Sequence, residues 1–388
     1  MVETIVNCQH FGTCGGCDYT NEQYLESLKV KQEYVKSKFQ FYEVENILEI
    51  IPSVKLEYHR NKMEFAVGGQ VGNVLIGLRQ KGKFNKIVDL KCCKTFHPKT
   101  VEILTIIKEW MQENNLEPYD IIKHKGKIRY VAMRHSKTFD ELMLNIVITG
   151  SKYQFEYLEH KLFQSLVQKI SLFKIVSFYI CINNKLSDNA LTDEVFKIYG
   201  TDFIKEKVNN IIYKIYPQTF FQTNTLTCEL MYNLISSEID GGNVLDIYCG
   251  SGGISLQVSS RAQKVVGIDS LKENILVANQ NKELNNISNV EFVCDNAETF
   301  VTKLLKSKFY TELSTIIIDP PRAGLSKRVC NTISELGVNK IIYVSCNIES
   351  LTQDLKLLTR FYKIKKVVPI DMFPFTKHLE TIVLLEHK

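Results

Sequence analysis

Cys346 closes the apolar run Tyr343-Val344-Ser345-Cys346-Asn347. Behind it lies Asp319-Pro320-Pro321-Arg322-Ala323-Gly324-Leu325, and ahead of it His378-Leu379-Glu380. These segments supply a soft nucleophile, a rigid polar loop and a carboxylate, each at the edge of an expected strand. In open parallel sheets, ligands and chemistry collect at the carboxyl ends of strands. A thiol and a carboxylate converging there point to covalent catalysis coupled to removal of a proton. Glu380 is the preferred base and His378 the alternative. The paired prolines of the 319–325 loop fix the backbone beside the reactive centre.

A second constellation is built to hold a cofactor. Val244-Leu245-Asp246-Ile247-Tyr248-Cys249-Gly250-Ser251-Gly252-Gly253 is a strand that ends in a glycine-rich turn and opens a helix. Asp269 ends the next strand, where an acid can accept both hydroxyl protons of a ribose. The turn lacks the Lys-Ser/Thr pair of a triphosphate-binding loop. Asp295-Asn296-Ala297 after the third strand suits the edge of an adenine ring, so S-adenosylmethionine fits better than a dinucleotide.

A third constellation is metal-like. Cys8-x5-Cys14-x2-Cys17 packs three soft ligands into ten residues with glycines between them, and a fourth thiolate is available at Cys92 or Cys93. Four cysteines hold either a [4Fe-4S] cluster or a tetrahedral zinc, and spacing alone does not choose. His10 is a weaker alternative ligand, better read as a loop residue.

The elements that must carry these groups fall into two stretches, with a boundary near residue 216. Residues 1–216 are expected to form an α+β domain that bears the cysteine cluster. It opens with a helix from Tyr24 capped by Thr20 and Gln23, has a helix from about Thr100 to Asn114 and another from Ser151 to Phe173, and contains short alternating strands between them. Residues 217–388 alternate strands and helices. The expected strands are Asn243–Tyr248, Lys264–Asp269, Val290–Cys294, Ser314–Asp319, Lys340–Ser345, Lys363–Pro369 and Glu380–Leu385, a doubly wound α/β domain of seven strands. The short link around Met372-Phe373-Pro374 suits an antiparallel hairpin between the last two.

Composition sets the class. The 388 residues are long enough for two or three domains of roughly 150 residues each, and 45% hydrophobic with 23% charged residues is ordinary globular usage. No basic start followed by an apolar stretch, and no run of about 18 apolar residues, marks a leader or a membrane span. A cytoplasmic chain that makes no membrane contact and acts as a monomer is expected. Its eleven cysteines are then not expected to form disulfides, and Cys181, Cys228, Cys294 and Cys330 are expected in the core. A net charge of +5 permits a nucleic-acid partner. Tyr58 to Phe65, with Arg60 and Lys62, and Lys123 to Arg134 are candidate tracks for RNA phosphates. Phe220 is a candidate platform for an extruded base.

Gly250 to Gly253, Asp319 to Leu325, Ser345-Cys346-Asn347, and Asp371-Met372-Phe373-Pro374 through His378-Leu379-Glu380-Thr381 together resemble the RNA uracil-5 methyltransferase family. The likeness extends upstream to Phe220-Phe221-Gln222-Thr223-Asn224 and covers nearly the whole chain. It implies a Rossmann-like class I methyltransferase domain, a Cys346 nucleophile, a Glu380 base and S-adenosylmethionine contacts from Gln222, Tyr248, Gly250, Gly253, Asp269, Asn296 and Asp319. Carbon 5 of uracil is a poor nucleophile, which is why that chemistry first adds a thiolate at carbon 6. The family's 23S ribosomal RNA branch has a very similar cysteine segment that holds [4Fe-4S], and likeness of Val88-Asp89-Leu90-Lys91-Cys92-Cys93 to its last motif implies Cys93 as fourth ligand. The expected product is 5-methyluridine in 23S ribosomal RNA. The alternatives are the same reaction on the T-loop of transfer RNA and a non-catalytic iron-sulfur protein that binds RNA. Two departures stand out: Gly253 where many members have Asn, and Ile348 where Pro is usual. The β-barrel of the TRAM type found at the start of many ribosomal members is not expected here. In methyltransferases of exocyclic amino groups an aromatic residue follows the Asp-Pro-Pro loop; Arg322 in that place disfavours that chemistry.

Overall fold

The computed structural model describes residues 8–187, 190, 192, 194–304 and 312–388. The chain forms two compact units. The first comprises the start of the chain through Glu22, Lys55–Lys207 and Lys214–Gln218, and the second comprises Gln23–Val54, Val208–Tyr213 and Thr219–Lys388. The break after Gln218 lies close to the expected boundary at 216. Residues 23–54, expected with the N-terminal domain, instead belong to the second unit.

The first unit is an α+β layer. Its seven-stranded sheet runs, edge to edge, Lys83–Asp89, Asn73–Gln80, Lys62–Gln70, Ile128–His135, Leu142–Ile148, Ile175–Ile182 and Glu194–Gly200. All neighbours are antiparallel except Leu142–Ile148 with Ile175–Ile182. That parallel pair requires a crossover, which helix His160–Lys169 supplies after a π turn at Phe155–Glu159. Helix Thr100–Glu113 places Ile103, Ile107 and Trp110 in the core, and the Trp110 ring lies 5.4 Å from that of Phe163.

The central strand Ile128–His135 is buried along its whole length, which corrects the surface reading for Ile128 to Arg134, whereas Lys123 to Lys125 are exposed as expected. Arg129 donates to the carbonyls of Asn183, Lys185 and Ser187, and Arg134 to that of Pro217. Buried guanidinium groups persist only with such partners.

The second unit is built on an eight-stranded sheet ordered Val44–Ile47, Tyr362–Ile370, Glu380–His387, Lys340–Ser345, Leu313–Ile318, Asn243–Ile247, Lys264–Asp269 and Val290–Cys294. All seven expected strands are present. The eighth, Val44–Ile47, pairs parallel with Tyr362–Ile370 at the edge. Glu380–His387 enters antiparallel between Lys340–Ser345 and Tyr362–Ile370, as the short connection predicts. The remaining pairs are parallel, and their strands are near-continuous apolar runs because helices cover both faces. Helix Tyr24–Phe39 sends Val35 and Phe39 into this core. Its N-cap is Gln23, not Thr20, and Gln23 makes no side-chain cap bond. Of the cysteines expected inside, Cys181, Cys228 and Cys330 are buried. Cys294 ends the edge strand and is exposed.

Candidate active site and cysteine centre

The strand order of the second unit reverses between Asn243–Ile247 and Leu313–Ile318, and in such sheets that switch point opens a crevice at the carboxyl ends. The structure has a cavity of about 620 Å³ there, within the range of small-molecule sites. Cys346 and Glu380 both line it, as do Gln222, Asp319 and, from the glycine loop, Tyr248 to Ser251 and Gly253. His378, the alternative base, is exposed and is not among the lining residues. Asn296 lies in an adjoining hollow of about 100 Å³ that shares Tyr248 and Asp269 with the main cavity.

Backbone geometry explains the glycine loop. Tyr248, Gly250 and Gly252 all take positive φ, at 68°, 54° and 85°, a conformation that is rare outside glycine. A Cβ on Gly252 would stand 2.7 Å from the Phe292 ring. The turn then opens helix Gly253–Val258 beneath the cavity. Asp269 braces it, accepting from the amides of Gly250 and Leu271 and from Asn274 Nδ2. A Cβ on Gly253 would lie 2.6 Å from the hydroxyl of buried Tyr232, so the Tyr232 ring fills the space a longer residue would need.

The cavity is acidic and only partly satisfied. Three buried polar atoms in its lining lack a hydrogen-bond partner among the described residues: Thr223 Oγ1, Asp246 Oδ1 and Glu380 Oε2. Such atoms are rare in folded proteins and mark places where a polar ligand completes the bonding. Burial pushes Asp246 up to about 7, although Ser255 Oγ donates to its other oxygen at 2.5 Å. Asp319 is likewise pushed up to about 7, by burial and then by Asp246. Burial and the nearby Asp319 hold Glu380 well above the usual carboxylate range, partly opposed by Arg322. The Cys346 thiol is pushed up to about 11 by burial and by the charges of Glu380 and Asp319, with Arg322 opposing.

Two loops set these groups. Asn347 caps helix Ile348–Leu358 and its Nδ2 donates to the Arg322 carbonyl at 2.9 Å. Asp354 of that helix accepts from Leu325 N and from the Tyr343 hydroxyl, which ties the 319–325 loop to strand Lys340–Ser345. Ile348, where Pro is usual in the resemblance, is a buried core residue at the helix start. Asp246, Tyr232 and Phe373 line the cavity although no role at the site was expected of them. Only Asp246, an acid inside an apolar strand, carries a signal in the sequence.

In the first unit, Cys8, Cys14, Cys17, Cys92 and Cys93 converge. Cys8 Sγ lies 3.6 Å from Cys92 Sγ. Burial is the main cause that pushes Cys8 up to about 11 and Cys17 up to about 12, with neighbouring cysteines adding to it; Cys93 couples to Cys8, Cys14 and Cys17 alike. The loop is fixed by Gly15 N donating to Arg79 O and by Lys91 N donating to His10 Nε2. Arg60 is half-buried beside Cys17 and Cys93, and Lys62 is paired with Glu64 at 2.7 Å. His97, His135 and Asp140 also approach one another, but the Lys137 ammonium already supplies the cation there, 3.1 Å from His135 Nδ1. Phe220, by contrast, is 63% exposed at the cavity of the second unit.

No helix among the described residues is long and apolar enough to cross a membrane. The model of the tRNA (uracil-5-)-methyltransferase family matches residues 192–388. The whole chain is similar to an uncharacterized RNA methyltransferase of Caldanaerobacter subterraneus, at 33% identity over 98% of this chain and 84% of the relative. It is 32% identical to one of Leptospira interrogans, over 97% of each. The crystal structure of Pyrococcus abyssi tRNA (uracil-54, C5)-methyltransferase in complex with S-adenosyl-L-homocysteine superposes with a TM-score of 0.78 at 30% identity, covering 96% of this chain and 84% of that one. The chain therefore belongs to the tRNA (uracil-5-)-methyltransferase family of RNA methyltransferases.

Proposed function

We propose that the protein methylates carbon 5 of a uridine in RNA, using S-adenosylmethionine and a covalent adduct at Cys346. The observation that carries this reading is the presence of Cys346 and Glu380 in one cavity with the glycine loop and Asp319. The three unpartnered polar atoms of that cavity fit a polar cofactor, with Gln222, Tyr248, Gly250, Gly253, Asp269, Asn296 and Asp319 holding it. When bound, the cofactor supplies a methyl group on a sulfonium.

Cys346 Sγ, once deprotonated, forms a bond to carbon 6 of the ring, and the electron pair of the 5,6 double bond moves toward the C4 carbonyl. Arg322, beside Cys346, favours the thiolate. After carbon 5 is methylated, Glu380 takes the proton from carbon 5, the double bond re-forms, and Cys346 leaves. Phe220 stacks on the extruded base, and Arg60 and Lys62 belong to the RNA-facing unit.

Cys8, Cys14, Cys17 and Cys93 are proposed to hold a [4Fe-4S] cluster. Thiolates suit it, and Arg60 offers a compensating charge. A tetrahedral zinc is the alternative for four cysteines. An iron-sulfur protein is brown where a zinc protein is colourless.

23S ribosomal RNA is the proposed target, on the resemblance of the Cys8 to Cys17 segment. Transfer RNA is the second reading, favoured by the 0.78 TM-score with an enzyme named for uracil 54 of tRNA. Mapping 5-methyluridine in ribosomal and transfer RNA of a deletion strain tests both. Loss from 23S RNA is expected, loss from tRNA alone would favour the second reading, and no loss from either would refute the function.

A further inference from the structure

The segment Asp371–Thr376 forms a wall of the cavity through Phe373, and it is pinned from remote parts of the chain. Lys31, on helix Tyr24–Phe39, puts its ammonium 2.5 Å from Asp371 Oδ1 and 3.3 Å from the Phe373 carbonyl. The Lys31 and Asp371 side chains are 2% and 0% exposed. Asn224 Nδ2 donates to the Met372 carbonyl, and Asp371 N donates to Ile51 O. Phe373 itself is only half-buried, and its ring lies 6.5 Å from that of His378. His378 Nδ1 in turn lies 3.4 Å from Arg322, the residue beside Cys346. A chain of contacts therefore runs from a lysine more than three hundred residues upstream in sequence to the expected nucleophile.

A buried ion pair is poor evidence of stability alone, since a well-packed apolar pair of similar volume is often as stable or more so. Its distinctive property is direction. An ammonium that donates to both a carboxylate and a backbone carbonyl fixes where that carbonyl, and hence its side chain, can point. We propose that Lys31 is a positioning residue for the reaction: through Asp371 and the Phe373 carbonyl it sets Phe373 as the face against which the uracil ring is held beside Cys346. The inference rests on the function proposed above and deepens it. With Tyr248 assigned to the cofactor, Phe220 and Phe373 are the accessible aromatic walls left for a flat pyrimidine, and Lys31 governs the second. Placing a reacting ring within bonding reach of a nucleophile is sensitive to displacements of about 1 Å, which cost on the order of a hundredfold in rate.

The test uses the full-length, cluster-loaded protein. Lys31→Met should lower kcat for RNA methylation by at least about tenfold, with KM for S-adenosylmethionine little changed. The paired variant Lys31→Met/Asp371→Leu removes the stranded carboxylate, so its melting temperature should return toward that of the parent while kcat stays low. Phe373→Leu should reproduce the kcat loss without moving the melting temperature. Recovery of kcat together with stability in the paired variant, or parental kcat in Phe373→Leu, would overturn the inference. A parent protein that methylates no RNA would refute the function itself, an outcome visible before any variant is compared.

Discussion

Ser345 stands opposite Thr381 in the antiparallel ladder between strands Lys340–Ser345 and Glu380–His387. Because Ile370 pairs with Glu380 on the other side of that strand, the next residue after Ser345 and the one before Thr381 emerge at the same end of the sheet. Cys346 and Glu380 thus reach one cavity through two rows of backbone hydrogen bonds, and a one-residue slip in either would turn one side chain to the opposite face.

Removing the nucleophile should separate binding from chemistry. Cys346→Ala is expected to abolish methyl transfer while S-adenosylmethionine affinity, measured by calorimetry, changes less than about threefold, since a contact made only during reaction contributes nothing to ground-state binding. Glu380→Gln should also lose turnover, but it should accumulate RNA bonded to Cys346, visible as a slow-migrating band on a denaturing gel.

The pH profile follows from the direction of the shifts. Cys346 is pushed up to about 11, and Glu380 is also raised by burial, so the free protein at neutral pH holds a thiol where the reaction needs a thiolate. Values of kcat/KM should therefore climb from about pH 6.5 to about pH 9, by up to tenfold per unit, without an alkaline fall. A flat profile would count against these assignments.

Asp246 links the cavity to stability. Its folded value of about 7 exceeds the 3.8 of a free aspartate, so between those values the folded state binds more protons than the unfolded one, and stability drops as pH rises through that window. Asp246→Asn should raise the melting temperature by several degrees at pH 7.5 and change it little at about pH 4.

Gly253→Ala should destabilise the fold by about 1–3 kcal/mol and weaken cofactor binding, because the added methyl meets the hydroxyl of Tyr232, whose ring is packed in the core. Thermal melting with and without S-adenosylmethionine measures both effects.

For the cysteine centre, Cys17→Ser or Cys93→Ser should remove the brown colour and its absorbance, whereas Cys92→Ser should retain them. Iron content per chain, determined alongside the spectra, checks each.

The central parallel strands of the second unit were legible because fully buried parallel strands are apolar runs bounded by Gly, Pro and Asp, and the last two because a short link joins them as a hairpin. Val44–Ile47 was not. It has four residues, two of them Glu45 and Asn46, and its strand character comes from pairing with Tyr362–Ile370 far along the chain. The same blindness affected Ile128 to Arg134. Alternating cations look like an exposed face until Arg129 meets the carbonyls of Asn183, Lys185 and Ser187, partners more than fifty residues away. In the site, Cys346, Asp319 and the glycine loop were visible because each follows the end of a strand, and Glu380 because it starts one. Tyr232 and Phe373 were not, since an aromatic residue near an apolar run carries no sign of facing a cavity.

The most direct test is mass spectrometry of the protein after incubation with S-adenosylmethionine and RNA carrying 5-fluorouridine at the target position, where fluorine replaces the proton Glu380 would remove. A stable adduct joining Cys346 to a methylated fluorouridine, absent in Cys346→Ala, is expected. Methylation of normal RNA by Cys346→Ala, or an adduct mapped to another residue, would contradict the account.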